Sequence, residues 1–438
     1  MKKITINIGI DFGTSYSKVC YQDSVTNKKN YVEFDTGTSK PKYKHSILYY
    51  DYHKEILYYA RPNNSNSIEV IRYFKYSIID RSLRQQTSIN FKSDYDVLCC
   101  IFFIACLIKK AKEYIKKRMA KQSEFKYHWA ITMGVPVDNY SNEYRKLYDK
   151  ILQIAINLSD NIDNYSIQSK YLDECYQKHC NIEIPEYVES PNNTLSELYA
   201  ECISFLDDPN VPEGLYAIID IGGATVDMAV IYKKLDNNRN EFGIVSKSIQ
   251  PLGIEIVIKK IALEDKYISD VRKLLHCNDF NPEKSNYKLK EEKLLSKQMK
   301  ETFAKLAIEA KEKNDIIDIR EILKSQKGVI KVIICGGGVD YKWYKSCISS
   351  TQEQIRHTLD DTGYKIKFES VDTLKRSYKV EDHRLIIANS LARPIRSIPL
   401  LEGFPWHFQK RNGATKTVDT FEKYYDMIQT QNETYSDK

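Results

Sequence analysis

Glycine and proline are scarce in this chain, 16 and 12 in 438 residues, which excludes a long linker or a disordered tail as its main character. Charge of one sign is scarce too. Sixty-six basic against 59 acidic residues leave a formal charge of +7, too small an excess at this length to mark a nucleic-acid protein. No apolar run reaches the roughly 18 residues needed to cross a bilayer. The most apolar stretch, Val97 to Ile108 (VLCCIFFIACLI), is short and reads as a buried helix. Regularly spaced cysteine pairs are also missing. The ten cysteines are scattered through apolar segments, which fits reduced thiols rather than a disulfide framework. Cys175-x4-Cys180, with His179 beside it, has no second pair at zinc spacing and makes no metal framework by itself. The N-terminus places Lys2 and Lys3 before an alternating strand pattern, without the apolar core or cleavage site of an export signal. A cytoplasmic protein without a membrane span is expected.

What is present is an α/β pattern long enough for more than one core. Strands are expected at Ile4 to Ile10, Ser17 to Tyr21, Trp129 to Gly134, Leu215 to Asp220, Thr225 to Tyr232 and Val329 to Cys335, with helices at Tyr95 to Lys121 and Ser141 to Leu158. Ile8-Gly9-Ile10-Asp11-Phe12-Gly13-Thr14 and Ala217-Ile218-Ile219-Asp220-Ile221-Gly222-Gly223 share one plan about half a chain apart: an apolar strand, Asp-x-Gly with a small residue, then a second strand. The turn formers of Asp207 to Gly214 suggest a boundary between two lobes. The charged helical stretch from Lys259 to Lys327 reads as solvated helix faces.

Asp11-Phe12-Gly13-Thr14-Ser15, followed by a strand with Lys18, makes a tight turn whose backbone N–H groups can face an anion. Gly13 permits close approach; Thr14 and Ser15 add hydroxyls, and Lys18 a positive charge. Asp220 to Asp227 supplies a second such turn through Gly222, Gly223 and Ala224, and two facing turns can clamp one polyphosphate. Mg²⁺ favours oxygen ligands and retains water, so Asp11, Asp220 and Asp227 suit a hydrated ion that bridges phosphate oxygens. Gly336-Gly337-Gly338 follows the apolar strand Val332 to Cys335 and lets backbone pass beneath a flat base or ribose. A Walker A loop and a Rossmann Gly-x-Gly-x-x-Gly turn are both missing.

This ordered set of motifs resembles the actin, sugar kinase and 70-kDa heat-shock protein superfamily, above all the DnaK-type chaperone ATPase domain, from about Ile6 to Arg393. The plasmid-segregation actins are similar as well. The resemblance implies an actin-like, ribonuclease H-like α/β fold with two lobes, a mixed five-stranded sheet in each, and ATP or ADP with Mg²⁺ in the cleft. It implies lobe I over residues 1–208 with a smaller subdomain near 40–95, lobe II over 209–384 with a charged helical subdomain near 254–310, and a return to lobe I over 385–438. Asp11 to Lys18 is similar to the first phosphate motif, Asp220 to Asp227 to the second, and Ile333 to Gly338 to the adenosine motif. Glu197-Leu198-Tyr199-Ala200 and Leu385 to Ala392 resemble the two connecting helices.

By the same resemblance Glu197 orients the attacking water, Lys75 reaches the γ-phosphate, and Thr225 joins Asp11 and Asp220 in the catalytic set. Two departures stand out. Ala224 replaces the usual third glycine of the second motif, and Asn389 stands where the last helix commonly carries glycine. A Glu-x-x-Lys/Arg adenine clamp is not assigned in the helix around Glu301 to Lys313. About 45 residues follow Arg393, fewer than a DnaK-type peptide-binding domain and lid require. The expected function is an ATPase switch read by a partner protein. A filament-forming actin is the alternative, and a nucleotide-binding scaffold with little hydrolysis a further one.

Overall fold

The computed structural model describes residues 2–34, 39–63, 66–81, 84–119, 125–136, 142–179, 193–206, 211–236, 239–280, 287–312, 329–352, 365–369 and 383–394. Cys180, the 207–210 part of the boundary turn and the tail beyond 394 lie outside them. Two mixed sheets carry the fold. In the first, β1 (Lys2–Asp11), β2 (Tyr16–Asp23) and β3 (Lys29–Tyr31) run as an antiparallel meander, and the short β4 (Lys44–His45) also pairs with β2. Beyond β1 come β8 (Phe125–Val135) and then β10 (Asn193–Ser196), both parallel. In the second sheet β11 (Gly214–Ile221), β12 (Val226–Asp236) and β13 (Arg239–Gln250) repeat the meander. There β14 (Val329–Cys335) and β15 (Lys365–Glu369) add in parallel beyond β11. The two sheets therefore share one strand order, which makes the sequence repeat a structural one, and the fold is the two-lobed actin-like α/β arrangement.

A smaller sheet of β5 (Leu48–Asp51), β6 (Ile56–Tyr58), β7 (Ile68–Ile71) and β9 (Ser166–Gln168) packs on the first lobe. The period-two alternation of β1 puts Ile4, Ile6, Ile8 and Ile10 into one core. Helix Tyr95–Arg118 fills the same core. It begins at Asp94, whose side chain accepts from the Asp96 N–H, and ends in Lys116, Lys117 and Arg118, which suit its negative C-terminal end. All of Val97 to Ile108 is buried, as its composition required. None of the helices among the described residues is long and apolar enough to cross a membrane.

Strands of the second sheet are covered on both faces. Leu215, Ala217, Ile219 and Ile221 of β11 face the helices Ile254–Ile261, Ile268–Cys277 and Leu289–Glu312. Tyr216 and Ile218 face helix Glu197–Leu206 instead. That helix lies between the lobes, because its other side (Tyr199, Ala200, Ile203) meets Leu195 of β10 and helix Ile386–Leu391. The two helices are joined by a Ser204–Ser390 hydroxyl contact.

Helix Ile386–Leu391 sits directly on β1. A β-carbon on Gly9 would overlap the backbone nitrogen of Ala392 and the carbonyl oxygen of Ala388. Backbone on both sides leaves no side chain free to move away. We expect Gly9→Ala to destabilise the chain by about 3 kcal/mol or more, measured by denaturant unfolding; an unfolding midpoint equal to wild type would mean the helix is not seated there in solution.

Candidate functional site

The first turn connects β1 to β2 through Phe12 to Ser15. Phe12 anchors it from below, buried against Phe74 and Phe103. Ser46 holds it from the side, donating to the Gly13 carbonyl at 2.6 Å and lying 3.0 Å from the Ser17 hydroxyl. Nothing in the spacing of Ser46 marks it in sequence; it is brought here by the pairing of β4 with β2. At the strand ends Asp11 and Lys18 are cross-strand partners, and the Lys18 ammonium donates to Asp11 Oδ2 at 2.7 Å.

In the second turn the Gly222 N–H closes onto the Thr225 carbonyl. The helix Ile254–Ile261 is docked beneath it. The N–H groups of Gly253, Ile254 and Glu255 donate to the carbonyls of Ala224, Gly222 and Gly223, so the orphan donors of a helix start and the acceptors of the turn satisfy each other. A β-carbon on Gly223 would overlap the Ser15 hydroxyl. The two turns thus lie in contact through Gly223 and Ser15.

Gly336 has φ +80°, and a β-carbon there would overlap Asp220 Oδ1. The third glycine cluster is therefore wrapped against the carboxylate and backbone of β11, with Gly338 N–H donating to the Ile221 carbonyl. Beside it, one terminal guanidinium nitrogen of Arg272 donates to both carboxylate oxygens of Glu255 at 2.9 and 3.0 Å, and the other donates to the Tyr341 hydroxyl at 3.2 Å. Sequence reading missed this group, because Arg272 and Glu255 come from two short helices with no shared motif.

Lys75 and Glu197 are 122 positions apart, yet their side chains form an ion pair at 2.6 Å. The ammonium also lies 5.4 Å from the centre of the Phe12 ring. Glu197 is only 8% exposed, so it is not a solvated helix residue. The backbone before Lys75 is strained: Tyr73 adopts the left-handed φ of 62° at the start of the short helix Phe74–Ser77. Such a conformation costs a bulky residue about 1–3 kcal/mol. Lys259 of the second lobe lies 4.4 Å over the Tyr73 ring. Arg72 of the same segment donates its backbone N–H to Gln85 Oε1 at 2.7 Å.

Five carboxylates, Asp11, Glu197, Glu201, Asp220 and Asp227, gather around two ammonium groups. Burial, then the Asp220 charge, pushes Glu201 well above the usual carboxylate range. Burial followed by Asp220 and Glu197 does the same to Asp227. Asp220 is pushed up to about 7 by burial, Glu197 and Asp11. Glu197 is raised by burial despite the opposing Lys75. Burial alone would lower Lys18, but Asp11, Asp220 and Glu197 hold its pKa above the ordinary value. Among the described residues Asp220 Oδ1, Asp227 Oδ1, Glu201 Oε2 and the Ser15 hydroxyl are buried without a hydrogen-bond partner. Unpaired buried groups of this kind are costly in a dry site, and a hydrated Mg²⁺ carrying a polyphosphate would supply the charge and partners that those at the two turns, Asp227 Oδ1 and the Ser15 hydroxyl, lack. The donor set fits that ligand.

Ala224 and Asn389, which depart from the motifs the sequence resembles, both have visible accommodations. The Ala224 methyl is buried with Tyr76 and Ile256, packing one lobe on the other. Asn389 turns its amide to the Tyr31 hydroxyl at 3.0 Å and accepts from Lys29 at 3.0 Å. Close approach of the last helix falls to Gly9 instead. His179 bonds the Cys175 carbonyl of its own helix through Nδ1, and the nine described cysteines are free thiols.

The fold is similar to that of MreB 5 of Spiroplasma citri in crystal structures bound to AMPPNP and to ADP. Identities are 13% and 12%, 89% of this chain is covered in both, 95% and 94% of those chains, and the TM-scores are 0.43 and 0.42. No family model matches the sequence, nor does any curated protein.

Proposed function

We propose that this chain binds ATP with Mg²⁺ between its lobes and hydrolyses it, so that the lobes close on the triphosphate and relax after phosphate release. The observation that carries the proposal is the convergence of two glycine turns, in contact through Gly223 and Ser15, on the buried Lys75–Glu197 pair. Phosphoryl transfer needs positioning and charge stabilisation more than covalent help from the protein. In this reading the backbone N–H groups of Gly13, Thr14, Ser15, Gly223 and Ala224 cradle phosphate, with Gly222 and Thr225 closing the second turn on each other. Lys18 and Lys75 offset its charge, and Glu197 orients the attacking water. Asp11, Asp220 and Asp227 hold the metal through its waters. Gly336 to Gly338 leave room for ribose and base, with Arg272 and Tyr341 alongside. Lobe I is taken as 1–208, lobe II as 209–384, and 385–438 as the return to lobe I. The closed state is read either by a partner protein or by further copies of the chain in a filament.

Mg²⁺-dependent ATP binding and phosphate release by the purified chain test the proposal. Wild type is expected to gain thermal stability with MgATP and Asp11→Ala to lose that gain; no gain and no phosphate release in wild type would overturn it. Light scattering at rising protein concentration with ATP separates the outputs: a threshold concentration means self-assembly, and a flat signal means a separate partner.

A further inference from the structure

The register of the second sheet sets three polar side chains in one row. Asp227 of β12 pairs with Asp220 of β11, and Asp220 pairs with Cys335 of β14. This row lies on the face covered by helix Glu197–Leu206, since Cys335 packs with Leu198 and Cys202 of that helix. Glu197 and Glu201 are four residues apart and so project from one side of it. Glu197 reaches Lys75 at the cleft, while Glu201, one turn deeper, reaches the row. Donor atoms of Glu201, Asp220 and Cys335 all lie within 4.8 Å of one another.

Glu201 is 1% exposed and its Oε2 has no hydrogen-bond partner among the described residues; the same holds for Asp220 Oδ1. Asp220 Oδ1 is the oxygen that packs against Gly336. The thiol of Cys335 donates to the Ile219 carbonyl at 3.5 Å and also lies within hydrogen-bond reach of the Glu201 carboxylate. Two buried carboxylates with unpaired oxygens and a sulfur beside them call for a cation.

We propose that Glu201, Asp220 and Cys335 form a buried site for one divalent transition metal, Zn²⁺ being the best match, separate from the Mg²⁺ of the cleft. Sulfur excludes Mg²⁺ and Ca²⁺, which take oxygen ligands, and selects a softer ion. Bond lengths of about 2.0–2.3 Å put the donors of a tetrahedral zinc about 3.3–3.8 Å apart, within rotamer adjustment of the spacing here. Three protein ligands leave the fourth position for water. Bound there, the ion fixes the Asp220 carboxylate at the end of β11.

The site uses no nucleotide, so its test is independent of the ATPase reading. The full chain, stripped with EDTA, is titrated with Co²⁺ and then Zn²⁺ in the absence of nucleotide. One equivalent of Co²⁺ with a thiolate-to-metal charge-transfer band, displaced by one Zn²⁺, is the expected result. Cys335→Ser should lose the band and Glu201→Gln should weaken binding at least tenfold, while Cys175→Ser keeps both. No band in wild type, or a band that survives in Cys335→Ser, would overturn the proposal. The wild-type titration decides even if a variant fails to fold.

Discussion

Glu197→Gln is expected to bind ATP within a few-fold of wild type and to release phosphate about 100- to 1000-fold more slowly, the usual range for removing a positioned general base. The amide keeps the size of the carboxylate and can still accept from Lys75, so the 2.6 Å contact between them is weakened without leaving a hole. It cannot take a proton from water. Alanine would be a poorer probe, since breaking a buried ion pair by deleting one partner costs about 3–5 kcal/mol and mixes stability with turnover. Single-turnover phosphate release beside a nucleotide-binding titration separates the two effects. Unchanged release with Gln at 197 would remove the residue from the reaction, and equal losses of binding and release would make it a binding group only.

Asp220→Asn is expected to make the nucleotide-free, EDTA-treated protein more stable than wild type at pH 8 and to abolish its stabilisation by MgATP. Burial, then Glu197 and Asp11, pushes the Asp220 pKa up to about 7, against a value near 3.9 for an unfolded aspartate. The folded chain therefore retains a proton that the unfolded chain releases. This stabilising contribution is complete below about pH 4 and is lost as the pH rises through 7. The whole difference is about 4 kcal/mol at 1.36 kcal/mol per unit. Asparagine stays neutral throughout, so its melting temperature should change less between pH 5 and pH 8. A variant less stable than wild type at pH 8 would mean that Asp220 is not held against its neighbours' charge.

The lobes were legible because their strands alternate and the Asp-x-Gly turns repeat. β1, β2, β8, β11, β12 and β14 lie within a few residues of where periodicity put them. β13, β10, β15 and the small sheet were not foreseen. Residues such as Arg239 to Gln250 mix charge with apolar positions, and short strands carry too few alternations to stand out. In the site, the turns announce themselves through glycine, whose need for close approach is local. Ser46, Glu201, Arg272 and Tyr341 are placed by packing between distant segments and carry no local mark. Glu201 had a faint one, its four-residue spacing from Glu197. Ala224 and Asn389 read as departures from a motif, and only the neighbours in space, Tyr76, Ile256, Tyr31 and Lys29, account for them.

The backbone contact of Gly9 with Ala388 and Ala392 also sets an order of events at the ribosome. Residue 392 is made more than 380 positions after residue 9, which at about 5–20 residues per second takes roughly 20–80 s. Over that interval the first lobe has β1, β2 and β8 but not the helix that closes over Gly9. The second sheet, drawn from one continuous stretch between Gly214 and Glu369, can form while the first still waits. Of these two lobes, the one begun first is finished last, and the nascent chain must keep the surface around Gly9 from other partners until the helix Ile386–Leu391 arrives.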